Sequence, residues 1–74
     1  MTINELGMIL ADMYGNASRG EQVAHIHLFG IKYGDTIRVN GYKSSEIIKV
    51  SGLKDSYATE VSKGIKLSKY VVPK

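Results

Sequence analysis

Apolar residues recur at spacings of three and four through most of the chain, and the rhythm breaks at glycine, asparagine and serine. Ile3, Leu6, Ile9, Leu10, Met13 and Tyr14 form one continuous face. Thr2 and Glu5 stand three apart ahead of it, as a capping box requires, and Gly15-Asn16 offers residues that tolerate the left-handed conformation at helix ends. This predicts a helix over residues 3–14. A second apolar series, Val23, Ile26, His27, Gly30, Tyr33 and Ile37, follows the box-like Ser18-Arg19-Gly20-Glu21 and reaches Val39 before Asn40-Gly41 stops it. Gly30 and Gly34 each cost about 1 kcal/mol relative to alanine inside a helix. Thr36-Ile37-Arg38-Val39 also alternates as a strand does. Two readings stand: one long helix with its glycines at a close helix crossing, which is preferred, or a break near Gly34.

Ser44-Ser45-Glu46 predicts the start of a short third helix of about seven residues, with Ile47, Ile48 and Val50 behind the cap and Gly52 at the stop. Asp55 or Ser56 can cap a fourth, whose inward positions are Ala58, Val61 and Ile65. At Gly64 that helix either continues to Tyr70, or ends at Lys63 and releases residues 65–72 as an extended segment; Pro73 closes the ordered region in both cases. The expected fold is all-α: one domain over residues 1–74, a bundle of about four helices with a helix-turn-helix unit at residues 44–63 and room for a short extended tail.

Seventy-four residues without a cysteine allow neither a disulfide framework nor a thiolate metal site, so the apolar core alone must hold the chain together. A hydrophobic fraction of 43% against 23% charged residues fits a folded chain and not a disordered one. No apolar run approaches the roughly 20 residues of a membrane span, and no basic segment leads into one, so a soluble, cytoplasmic protein is expected.

The net charge of +3 decides little until it is placed. Residues 1–42 carry Arg19, Lys32 and Arg38 against Glu5, Asp12, Glu21 and Asp35, a balance of −1. Residues 43–74 carry Lys43, Lys49, Lys54, Lys63, Lys66, Lys69 and Lys74 against Glu46, Asp55 and Glu60, a balance of +4. An excess confined to one half marks either a surface that faces a polyanion or a lysine-rich solvated tail.

The basic half also holds the only recognisable motif. In residues 44–63, Ile47 and Ile48 line a first helix and Gly52 sits where the chain must turn with positive φ. Leu53 plugs the turn, and Ala58 and Val61 stripe a second helix. The stretch resembles the helix-turn-helix superfamily, with two departures. Its fifth place, normally small, is Ile48, and its eighth, normally apolar, is Ser51, which suggests a variant helix crossing or a register one residue away. The whole chain, with its segments Ile26–Tyr33 and Tyr57–Leu67, is also similar to small bacterial helix-turn-helix-like domains loosely associated with restriction and mobile-element defence.

The superfamily resemblance implies duplex DNA as partner, with the second helix in the major groove and the first across the backbone. Ser56, Tyr57, Thr59 and Lys63 would then face the groove, and Lys43, Lys49, Lys54, Lys66 and Lys69 would meet phosphates. Glu60 is awkward there. It either accepts from a cytosine amino group or pairs with a neighbouring lysine. None of the seven basic residues in this half is an arginine, so bidentate guanine recognition is not advertised.

Catalysis finds no support. His25 and His27 point about 200° apart on a helix, whereas a helical zinc pair needs positions i and i+4, and no phosphate loop or nucleophile with an adjacent base is present. No enzyme activity, cofactor, metal or small-molecule substrate is therefore expected. Met1, Met8 and Met13, with Ile3, Leu10 and Phe29, serve either the core or a homodimer surface. The competing functional reading is a non-catalytic helical interaction or accessory domain of a restriction or phage-defence system.

Overall fold

The computed structural model describes residues 1–73; Lys74, counted above among the lysines, lies outside the described residues. Four helices follow one another: α1 (Ile3–Gly15), α2 (Gln22–Asn40), α3 (Ser44–Ser51) and α4 (Ala58–Leu67), the last entered through a 3-10 turn at Asp55–Tyr57. Among the described residues there is no strand.

The predicted capping box opens α1. Thr2 Oγ1 accepts the Glu5 N–H at 3.1 Å and Glu5 Oε1 accepts the Thr2 N–H at 2.8 Å, which holds the Glu5 carboxyl below its ordinary 4.5. The second box, at Ser18, does not form. Gly20 takes φ +88°, the chain turns there, and Glu21 becomes an N-cap without a side-chain hydrogen bond while Gly20 N–H donates to Gln22 Oε1 at 3.0 Å. From Gln22 the helix runs unbroken to Asn40, so the break near Gly34 and the strand over residues 36–39 are not realised. Gly41, at φ 70°, ends it.

Both interior glycines of α2 sit at a helix crossing. A Cβ on Gly30 would stand 2.7 Å from Gly64 Cα, and one on Gly64 would stand 2.5 Å from His27 O. At the next turn a Cβ on Gly34 would stand 2.6 Å from Ser68 Cβ. Gly30 and Gly34 thus oppose Gly64 and Ser68, four residues apart on each side, and the two backbones touch. Residue numbers rise together in the pairs 27–60, 30–64 and 34–68, so α2 and α4 run in the same direction. Dispersion across this contact offsets the helix propensity that the glycines forgo. Helices α1 and α3 are paired in the same sense, Tyr42 OH donating to Met1 O at 3.0 Å and Gly7 lying against Val50.

Eight side chains fill the core: Leu6 and Leu10 of α1, Ile26, Phe29 and Ile37 of α2, Ile47 and Ile48 of α3, and Val61 of α4. Each contributes about 1.5–3 kcal/mol of burial, and among the described residues no polar or charged side chain is buried with them. Of the residues weighed for a dimer surface, Leu10 and Phe29 are core, Ile3 and Met13 pack half-buried against it, and Met1 and Met8 are exposed.

Two further caps differ from expectation. Helix α3 begins at Ser44 itself, with Lys43 as N-cap donating its N–H to Glu46 at 2.9 Å, because the Ser44 hydroxyl is taken by Ser62 of α4 at 2.8 Å. Neither Asp55 nor Ser56 caps α4, since both lie in the 3-10 turn. Helix α4 passes through Gly64, which the crossing requires, and ends at Leu67, three residues short of Tyr70. Arg38 of α2 closes that end, its guanidinium donating to Ile65 O at 3.2 Å and Ser68 Oγ at 2.8 Å. The extended reading of residues 65–72 therefore fails over its first part: α4 runs to Leu67, residues 68–70 form a turn, and residues 71–73 have no regular structure.

Candidate nucleic-acid interface

Helices α3 and α4 are joined by residues 52–57: Gly52, Leu53 and Lys54, then the 3-10 turn Asp55–Tyr57 that leads into α4. Gly52 adopts φ 78°, as its place demands, and Leu53 packs half-buried against the core. The two unusual positions have physical explanations. Ser51 donates its hydroxyl to Ile48 O at 2.7 Å and accepts the Leu53 N–H at 3.2 Å, fastening the turn with hydrogen bonds where an apolar contact is usual. Ile48 is fully buried in the core. With that bulk on α3, close helix approach falls elsewhere: α3 packs mainly on α1, α4 mainly on α2, and the α3–α4 contact is the lighter one. The hairpin is therefore braced on two scaffold helices.

That bracing decides which face of α4 is free. Val61 and Gly64 are buried and Ile65 half-buried, whereas Thr59, Lys63 and Lys66 are exposed. At about 100° per residue these three fall within an arc of about 60° opposite the buried side, spread along roughly 10 Å of axis. Ser56 is exposed in the 3-10 turn just before them. Lys43 at the start of α3, Lys49 on α3, Lys54 in the turn and Lys69 beyond α4 are also exposed.

Tyr57 stands apart from this group. Its ring lies 5.5 Å from that of Tyr14 and the two hydroxyls share a hydrogen bond at 3.2 Å, which together with burial pushes the Tyr14 phenol above its ordinary 10.0. Tyr57 thus ties the turn to the end of α1, a role that the sequence reading did not give it.

Glu60 is also placed by a contact that the sequence reading missed. One carboxylate oxygen meets His27 Nε2 at 2.7 Å and the other meets Lys63 Nζ at 3.4 Å. The His27 hydrogen bond, aided by Lys63, holds the carboxyl below its ordinary 4.5. The lysine pair was one of two roles foreseen for Glu60. The histidine pair was not, because 33 residues separate the partners and only the α2–α4 crossing brings them together.

Among the described residues, no group of three His, Asp or Glu side chains converges as a metal site would require, and no pocket is formed. Among the described residues no helix is long and apolar enough to cross a membrane. Among curated proteins and among solved structures, nothing matches the chain significantly. A family described as the HTH-like domain does match, over residues 2–74, which takes in the scaffold helices as well as the hairpin. With the turn at Gly52 and the α4 outer face both inside that span, the chain belongs to the HTH-like domain family.

Proposed function

We propose that this domain binds duplex DNA, without catalysis, through the outer face of α4 and the lysines around it. One observation carries the reading: the exposed side of α4 in a helix-turn-helix unit bears Thr59, Lys63 and Lys66 and, within its own arc, no carboxylate. Glu60 lies off that arc, drawn toward α2 by His27. Ser56, Thr59 and Lys63 then approach base edges, where hydroxyls serve several bases and the ammonium serves guanine or phosphate. Lys43, Lys49, Lys54, Lys66 and Lys69 neutralise phosphates, and a small cytoplasmic regulator of bacterial or phage type is the setting proposed for it. A lysine-only set gives affinity more readily than sequence discrimination.

A second reading, a helical protein-interaction domain, is favoured by the exposed Tyr70, Val71 and Val72 just past α4. Amide chemical-shift mapping with a short duplex separates the two. DNA binding predicts perturbations at residues 54–66 that spare the outer face of α1. Perturbations confined to residues 70–73, or none, contradict it.

A further inference from the structure

We propose that His27 is a positioning residue for the nucleic-acid face: it holds Glu60 on the α2 side of α4 and, on taking up a proton, frees Lys63 for phosphate, so that duplex binding is coupled to proton uptake. This rests on the reading in the preceding subsection.

The geometry is a three-membered bridge across the α2–α4 crossing. Glu60 is shared between His27 at 2.7 Å and Lys63 at 3.4 Å, and only Lys63 belongs to the exposed arc. With a neutral imidazole, Nε2–H donates to the carboxylate, and the Glu60 charge is balanced by Lys63 alone. The trio then sums to zero, and part of the lysine's attraction for phosphate is spent within the protein. With an imidazolium, His27 and Glu60 form their own ion pair and the trio sums to +1. Phosphates near Lys63 favour the second state, and linkage requires affinity to rise as pH falls through the imidazole titration.

The charged groups facing His27 from α4 are Glu60 and, through it, Lys63. Among the described residues no other charged side chain stands within ion-pair distance of the trio; the remaining ion pair, Asp35 with Arg38, lies within α2 itself. His25 points about 200° away round α2, so it serves as an internal control. The His27 and Glu60 side chains are 31% and 22% exposed, and water screens the charge in part. A gain in affinity of about five-fold between pH 8 and pH 5.5 is expected at that screening.

The test measures binding of the full chain to a fluorescein-labelled duplex at both pH values and constant ionic strength, for the wild type, His27→Gln, Glu60→Gln and His25→Gln. The wild type and His25→Gln should tighten about five-fold at the lower pH. His27→Gln should show a flat profile. Glu60→Gln should bind more tightly than the wild type at pH 8, because the trio then already carries +1. In parallel, histidine ring resonances of the wild type should show His27, and not His25, protonating at higher pH when the duplex is present; this readout needs no variant to fold. A His27→Gln protein that keeps the wild-type pH response, or a His27 titration that the duplex leaves unmoved, overturns the assignment. Binding with a flat wild-type profile refutes this inference alone, whereas no binding at either pH refutes the DNA-binding reading from which it starts.

Discussion

Replacing Gly64 by alanine should destabilise the domain, although the same change usually strengthens a helix. The propensity gain is about 1 kcal/mol. Against it, the new Cβ would stand 2.5 Å from His27 O, 2.9 Å from Gly30 Cα and 3.1 Å from His27 Cα. All three are backbone atoms, so no side chain can swing aside and α4 must move off α2. Overpacking of this kind costs roughly 1–3 kcal/mol where side chains can adjust and more where backbone must shift, so a net loss of about 1–3 kcal/mol is expected. At about 4–8 °C per kcal/mol for a domain of this size, the thermal midpoint should fall by roughly 5–20 °C. Gly30→Ala should behave alike, its Cβ standing 2.7 Å from Gly64 Cα. Gly15→Ala is the reference: nothing lies within 4 Å of the added methyl, and the midpoint should hold or rise by a few degrees. Thermal unfolding followed by circular dichroism reads all three. If Gly64→Ala and Gly30→Ala rise together with Gly15→Ala, the backbone-to-backbone crossing is refuted.

Phe29→Ala should cost about 3–5 kcal/mol in urea unfolding, close to the whole stability of a 74-residue domain; an unchanged midpoint would show that Phe29 is not central to the core. Glu5 and Glu60 are both held below 4.5, so each contributes stability that is complete above that value and lost as pH falls through its lowered folded value. Stability should therefore decline on acidification below about pH 4.5, more shallowly in a Glu5→Gln/Glu60→Gln protein, and parallel acid slopes would contradict both pairings. Lys63→Glu should lower duplex affinity at least about ten-fold with far-UV circular dichroism unchanged; equal affinity would mean that the interface lies on another face.

Local signals in the sequence were read correctly where one feature acts alone. The Thr2–Glu5 box, the left-handed stops at Gly41 and Gly52 and the four helices stand in the structure, although Val23 and Val50 of the apolar series are exposed. Ser18, Ser44 and Ser56 misled for a shared reason: a cap depends on where the flanking backbone turns and on what else the hydroxyl can reach. The positive φ of Gly20 undoes the first, the Ser62 hydroxyl competes for the second, and a 3-10 turn absorbs the third. Gly64 was ambiguous because its reason for being glycine lies on another helix. Thr59 and Lys63 on the exposed side of α4 were legible from 3.6-residue spacing, whereas Tyr57 and Glu60, expected on the same face, are half-buried. The His27–Glu60 bridge and the Tyr14–Tyr57 pair were not, because each joins residues that only the packing of distant helices brings together. A single histidine on a helix carries no sign of its partner.

The central claim, that the lysine-bearing side of α4 meets the phosphate backbone, is tested most directly by titrating the wild-type chain against a random-sequence duplex between about 50 and 200 mM salt. With about four to six lysine–phosphate contacts, the logarithm of the association constant should fall with the logarithm of salt at a slope of about −4 to −5, a loss of roughly 10²–10³ across that range. Absence of binding at the lowest salt, or an affinity that salt leaves unchanged, would contradict it.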